Sequence, residues 1–339
     1  MKVLVTARMA GIDLARLSLH VDEIVYAGYG ATGEKLNEAD FQKALKGVDI
    51  AIIEFEPFTE AVINGAKDLK IIACCRNEPG ANVDLAAADK RGIPVFSTPG
   101  RNAIAVAEYT IGLMIAVARN IPITHHLLRY TEELTAVTYG DKIGDRKGVT
   151  SEWSLDPGAP FQRFAGVELS GKKIGLVGFG AIGRSIARRA SAFDMQILAF
   201  DPFLSLEFFA SSGARAVTLE DLAREADFVV MAAKVTDESR GIFSSQMIDL
   251  MKTSAYLINT ARAALVDYEA LYVALTQRTI AGAALDVYPV EPLPIDSPLR
   301  TLNNVVLSPH LAGASVSVPD HHGRMIVDEL VAFLEREKF

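Results

Sequence analysis

The chain has 339 residues, half of them apolar and 22% charged, and carries a formal net charge of −8. This length exceeds what one compact core accommodates, so two domains are expected, and the apolar share is that of an ordinary globular protein. The acidic balance argues against a nucleic-acid backbone or an anionic membrane as partner, while leaving room for a local basic pocket that takes a small anion.

From the first residue to about Pro99, short apolar runs (Val3 to Val5, Ile24 to Tyr26, Ile50 to Ile53, Ile71 to Cys75, Pro94 to Phe96) alternate with helical patterns such as Glu38 to Leu45 and Val83 to Lys90. That alternation predicts a parallel sheet covered by helices. Lys2 to Thr6 reads as the first strand, without the layout of a signal peptide. The two cysteines, Cys74 and Cys75, are neighbours in a strand-like run and so face opposite sides. They read as small buried hydrophobes in a reducing cytoplasm.

The next segment, RNEPGANVD, leaves the carboxyl end of the fourth run, where α/β sheets bind ligands. Arg76, Asn77 and Glu78 are therefore candidate substrate contacts, against the alternative of a surface turn built on Pro79 and Gly80. Asn82 or Asp84 should open the helix that follows. Asn102 to Arg119 reads as a long apolar helix capped by Asn102 and bridging two domains, with Glu108 as a satisfied interface carboxylate. It is interrupted by that glutamate and too short to span a bilayer comfortably. From Thr135 to Gly166 the periodicity dissolves around the single Trp153, as in an arm that wraps a domain or a second subunit.

Regular alternation returns at Lys172. The run Ile174 to Val177 meets Gly178, Gly180 and Gly183 in G-x-G-x-x-G spacing, and a helical pattern and a second run, Ile197 to Phe200, lead to Asp201. Gly178 permits a tight turn, Gly180 lets backbone approach a pyrophosphate, and Gly183 lets helix and strand pack closely. The helix start at Ala181 and Ile182 offers free N–H groups to phosphates. Asp201 is placed to accept hydrogen bonds from the adenosine ribose and to repel a phosphate there, which favours NAD over NADP.

Three motifs follow at strand ends. NTARAALVD places Thr260 and Arg262 after the run Ala255 to Asn259, LDVYPVEPLP places Asp286 and Glu291 after Ala281 to Leu285, and SPHLAG places His310 after Val305 to Leu307. Carboxyl ends of parallel strands share one edge, so these groups are expected to converge on the nicotinamide. Hydride transfer to a 2-keto acid needs a proton donor, and His310 is the side chain suited to it. Glu291 would favour the imidazolium and orient the ring, and Arg262 would hold the substrate carboxylate bidentately. Thr260 is assigned to the cofactor, and Asp286 either accepts from the nicotinamide carboxamide or supports His310. His20, His125, His126, His321 and His322 lack comparable neighbours and are expected to be solvated. Asp267 should cap a helix from Tyr268, and Val318 to Phe339 should end in an amphipathic helix whose Ile326, Leu330, Phe333 and Leu334 stripe packs on the first domain. No metal site is expected.

The fingerprint with Asp201, together with NTARAALVD, DVYPVEPLP and SPHLAG, resembles the D-isomer-specific 2-hydroxyacid dehydrogenases, and VAEYTIGLM and FAGVELSGKKIGLVGFG match as well. The resemblance implies an α/β architecture of two Rossmann-like domains: a doubly wound NAD-binding domain (102–311, with 135–168 as an irregular arm) inserted into a flavodoxin-like substrate domain (1–101 plus 312–339). It further implies Arg262, Glu291 and His310 as catalytic residues, Asp286 beside the nicotinamide, and a homodimer. Ala263 stands where the family usually has glycine, and Asn77, Glu78 and Pro79 stand where many relatives have small residues. The expected activity interconverts a small D-2-hydroxy acid and its 2-keto acid. A phosphoglycerate-type dehydrogenase and an NAD(H)-sensing binding protein are the alternatives.

Overall fold

In the computed structural model, residues 1–135, 138 and 159–337 are described, so most of the expected arm, including Trp153, lies outside the described residues. The chain divides into two compact units, Met1–Asn102 with Ala314–Phe339, and Ala103–Gly313.

The first unit is built on five short strands, β1 (Lys2–Val5), β2 (Glu23–Tyr26), β3 (Ile50–Ile53), β4 (Ile71–Cys74) and β5 (Val95–Ser97). All pair in parallel, in the order β2-β1-β3-β4-β5. This is the flavodoxin-type order. Strands β3 and β4 are buried along their whole length, which is why they read as unbroken apolar runs rather than alternating ones. Cys74 and Cys75 lie in the cores on opposite faces of this sheet, both as free thiols, and burial pushes the Cys74 thiol up to about 11. The helix Val318–Glu337 lays Ile326, Val327, Leu330 and Leu334 against Val3, Val5, Ile50 and Ile52, while Phe333 meets Phe96 edge-on at 5.3 Å. Asp84, not Asn82, caps the helix Leu85–Lys90 by accepting from the Ala87 N–H.

One expectation fails in this unit. His322 is fully buried, because the helix that carries it packs its polar first turns, as well as its apolar stripe, onto the sheet edge. Its Nε2 lies 2.6 Å from the carbonyl oxygen of Arg8, and its Nδ1 lies 2.8 Å from Nη1 of Arg101, whose guanidinium also donates to Glu54 at 2.7 Å. An arginine can only donate, so Nδ1 accepts and Nε2 carries the proton. His20, His125 and His126 are exposed and His321 is half-buried.

Burial holds the His322 pKa below its ordinary value, helped by the Arg101 charge and opposed by Glu54, the Arg8 carbonyl and Asp320. The folded state therefore binds this proton more weakly than the unfolded chain. The stabilisation is complete above the unfolded pKa of about 6.5 and is lost as pH falls through the lower folded value. Melting temperature should accordingly drop between about pH 7.5 and 5.5. In His322→Gln it should start lower and fall by less over the same interval.

The second unit carries seven parallel strands, β6 (Lys173–Val177), β7 (Gln196–Phe200), β8 (Arg215–Ala216), β9 (Phe228–Met231), β10 (Tyr256–Asn259), β11 (Gly282–Leu285) and β12 (Val305–Leu307). Their order is β12-β11-β10-β9-β6-β7-β8. The order reverses between β6 and β9, the topological switch point at which doubly wound sheets take ligands. The helix Ala103–Ala118 is apolar on most sides because it lies inside this unit's core, with Ala107, Thr110, Met114 and Ala118 buried. The amide oxygen of Asn102, the residue before it, accepts from Asn77 Nδ2 at 3.1 Å. Glu108 is exposed and pairs with Arg189 at 2.8 Å. Asp267 caps the helix Tyr268–Gln277 through the Ala270 N–H. Among the described residues no single helix is long and apolar enough to cross a membrane.

Candidate active site

The glycine turn joins β6 to the helix Ala181–Ser191. Gly178 has φ +97°, and a Cβ there would stand 2.5 Å from the Ala233 backbone nitrogen. A Cβ on Gly183 would stand 2.4 Å from the carbonyl oxygen of Gly178. Both glycines are thus required by the fold itself. Gly180 differs, because a Cβ on it would meet nothing within 4 Å. Its backbone borders open space beside the helix start, where the N–H groups of Ala181, Ile182 and Gly183 precede the first helical hydrogen bond, Arg184 to Gly180. Asp201 follows β7 and accepts from the N–H groups of Phe179 (2.9 Å) and Phe203 (3.1 Å). Each carboxylate oxygen keeps a further lone pair. Open space over Gly180, free helix N–H groups and an acid at the next strand tip suit the pyrophosphate and ribose of a dinucleotide.

The three catalytic candidates stand on neighbouring strand ends. β10, β11 and β12 are adjacent and parallel, so Arg262, Glu291 and His310 emerge at the same edge of the sheet as Gly178. His310 Nδ1 lies 2.6 Å from Glu291 Oε2, and Glu291 Oε1 accepts from the Tyr288 N–H at 3.0 Å. Partial burial would raise the Glu291 pKa. The hydrogen bonds from His310 and Tyr288 and the charges of His310 and Arg262 outweigh it and hold the carboxyl below its ordinary value. Arg262 lies in extended backbone, with Nη1 on its neighbour's carbonyl, Ala261 O, at 2.7 Å. Ala263 opens a 3-10 turn and is not among the residues with positive φ, so its methyl group imposes no backbone strain. A cavity of about 480 Å³ opens against His310 and Glu291, walled by Tyr288, Leu293, Leu307 and Pro309.

His310 itself has φ +56°, an uncommon conformation for a non-glycine residue. The surrounding bonds account for it. Asp286 is fully buried, and its carboxylate accepts from Ser308 Oγ (2.6 Å), Leu311 N (2.9 Å) and Ala312 N (2.8 Å), while its backbone oxygen takes the His310 N–H at 2.8 Å. Of the two roles open to it in the sequence, Asp286 is engaged in shaping the histidine loop. Tyr288 assists: its hydroxyl accepts from Ser308 N and lies within 2.9 Å of the Leu285 and Ser308 carbonyls, and burial pushes it up to about 12. Asn259 holds the arginine loop through Nδ2 to the Arg262 carbonyl (3.1 Å) and Oδ1 from Ala261 N–H. Thr260 is buried, its hydroxyl 2.8 Å from that of Thr110, which already donates to Val106 O. These supporting residues flank the motifs in sequence, but no spacing rule singles them out.

The substrate-loop candidates belong to the first unit. Asn77 is committed to the loop, accepting from Gly100 N–H at 2.9 Å and donating to Asn102. Glu78 is exposed and precedes the 3-10 turn Pro79–Ala81. Arg76 lies over the Phe55 ring at 5.6 Å. Among the described residues no group of three His, Cys, Asp or Glu is disposed to hold a metal ion.

Comparison with known proteins fits this dinucleotide-binding oxidoreductase geometry. Residues 142–312 match the NAD-binding domain model of the D-isomer-specific 2-hydroxyacid dehydrogenases. The YoaD protein of Bacillus subtilis (strain 168), named for the 2-hydroxyacid dehydrogenases, is 36% identical over 95% of this chain and 88% of its own length. The D-3-phosphoglycerate dehydrogenase of Methanocaldococcus jannaschii is 35% identical over 99% of this chain, which spans only 58% of that relative. A solved structure from Thermus thermophilus aligns with a TM-score of 0.72 and 32% identity over 99% of this chain and 97% of the other. The chain belongs to the D-isomer-specific 2-hydroxyacid dehydrogenase family. It is thereby an NAD-dependent oxidoreductase acting on CH–OH groups.

Proposed function

We propose that the chain interconverts a small D-2-hydroxy acid and its 2-keto acid, with His310 exchanging the proton, Arg262 binding the substrate carboxylate and Glu291 positioning His310. The observation that carries this reading is the 2.6 Å contact between His310 Nδ1 and Glu291, on the sheet edge that also presents Arg262 and the glycine turn. Gly178, Gly180, Ala181, Ile182, Gly183 and Asp201 would hold the dinucleotide, and NADH bound there supplies the hydride. With Nδ1 engaged by Glu291, Nε2 is the ring nitrogen free to give a proton to the carbonyl oxygen as the adjacent carbon accepts the hydride. The products are the hydroxy acid, oxidised cofactor and a neutral imidazole, and oxidation runs the same step in reverse. Arg262 offers two parallel N–H bonds to the α-carboxylate and a fixed positive charge beside the carbonyl.

The test is NADH consumption by the purified chain with glyoxylate, pyruvate, hydroxypyruvate and 2-ketobutyrate. Turnover with at least one, giving D product wherever the product is chiral, is expected. Failure with the whole panel, or L product, contradicts the reading.

The chain is further proposed to work as a homodimer in the cytoplasm. Ile121, Leu128, Tyr130 and Phe161 of the second unit are large exposed hydrophobics suited to covering by a second copy. Two buried free thiols suit a reducing compartment.

A further inference from the structure

We infer that the hydroxyl groups of Tyr268 and Tyr288 brace the three strand ends of the second unit that carry Arg262, Glu291 and His310, and that both tyrosines are positioning residues for the reaction. This rests on the roles proposed above for those three side chains and adds the two residues that set their spacing.

Strand β11 lies between β10 and β12, and ladder pairing stops at Leu285, opposite Asn259 on one side and Leu307 on the other. Arg262, Glu291 and His310 sit on the loops beyond, so their spacing depends on cross-links between loops. Tyr268 spans the first gap. It opens the helix that follows the Arg262 turn, and its hydroxyl donates to the Val287 carbonyl just past β11. The same hydroxyl accepts from Nδ2 of Asn259, the last residue of β10, at 3.4 Å. That Nδ2 also donates to the Arg262 carbonyl at 3.1 Å, which ties the arginine turn to the end of β11 through one amide.

Tyr288 spans the second gap. Its hydroxyl accepts from the Ser308 N–H at 3.1 Å and stands 2.8 Å from Leu285 O and 2.9 Å from Ser308 O, while its backbone N–H holds Glu291 Oε1 at 3.0 Å. One residue thereby anchors both partners of the Glu291–His310 contact, the carboxylate through its backbone and the chain leading to His310 through its side chain. Burial raises both phenols above their ordinary pKa, that of Tyr288 to about 12, so each keeps the proton it donates. Most of the groups these hydroxyls touch have a second partner. The Ser308 N–H also has Leu285 O at 3.0 Å, Ser308 O has the His310 N–H at 3.2 Å, and Asn259 Nδ2 has the Arg262 carbonyl. Phenylalanine would fill the same space and leave those pairs intact. What the hydroxyls add is a fixed distance between neighbouring strand ends.

The experiment compares Tyr268→Phe and Tyr288→Phe with the wild type in NADH-driven reduction of the keto acid that the wild type turns over best. Tyr268→Phe acts on the arginine turn and should raise KM for the keto acid about threefold to tenfold with kcat nearly unchanged. Tyr288→Phe acts on the histidine loop and should lower kcat about threefold to tenfold with that KM nearly unchanged. Wild-type kinetics in either variant, or the same change in kcat and KM in both, overturn the inference. If the wild type turns over no keto acid, the proposed activity fails instead, and amide hydrogen exchange decides the brace. Tyr288→Phe should then speed exchange at Leu311 and Ala312, whose N–H groups bond Asp286, about threefold to tenfold and leave Ala261, bonded to Asn259, unchanged; Tyr268→Phe should do the reverse. Unchanged exchange in either variant, or faster exchange at both loops in each, would overturn it.

Discussion

Replacing His310 should lower kcat for NADH-driven keto-acid reduction by about 10²–10⁴-fold, the range that a positioned general acid contributes. Alanine alone would mix this loss with backbone strain, because residue 310 sits at φ +56°. Asparagine tolerates that conformation and still fills the space beside Glu291, but it has no proton to exchange near neutral pH. His310→Asn should therefore keep the wild-type melting temperature and NADH binding while losing turnover to nearly the extent of His310→Ala. Steady-state kinetics together with NADH fluorescence titration separate the two effects. An asparagine variant that retains a tenth or more of the activity would remove His310 from the chemistry.

Gly178→Ala should be as severe for a different reason. The residue is at φ +97°, and its Cβ would stand 2.5 Å from Ala233 N and 2.6 Å from Ala233 Cα. These are backbone atoms of the segment after β9, so no side chain can swing aside. The conformation alone costs about 1–3 kcal/mol for a residue other than glycine, and the overlap adds to it. Melting temperature should fall by several degrees, and NADH binding should be lost or weakened at least about tenfold. Gly180→Ala provides the contrast. Its Cβ meets nothing in the protein, so the fold should hold while cofactor binding weakens, because the methyl enters the space beside the helix start. Equal stability losses in both variants would show that the second glycine is structural too.

Much of this organisation is legible in the amino-acid sequence, for identifiable reasons. Strands buried on both faces leave unbroken apolar runs, so β3, β4, β9 and β10 stand out. Two-residue β8 leaves no such trace, since exposed Arg215 and half-buried Ala216 carry no run or alternation. His310, Glu291 and Arg262 are visible because the chemistry proposed for them calls for particular residue types at strand ends. Asp286 is visible too, but whether a buried carboxylate serves a ligand or its own loop depends on which N–H groups fold around it, here those of Leu311 and Ala312. His322 misleads for a related reason. Its partners, Arg101 and the Arg8 carbonyl, are 221 and 314 positions away, and local spacing cannot reveal them.

The central claim is that Glu291 acts through His310, so that the pair works as one unit at the keto carbonyl. A double-mutant cycle of Glu291→Ala and His310→Ala, read as kcat/KM for reduction of one keto acid, addresses it directly. If the pair is a unit, the double variant should be no worse than His310→Ala alone, within about threefold. Losses that multiply instead would mean that the carboxylate and the imidazole act independently, and the account given for this site would not hold.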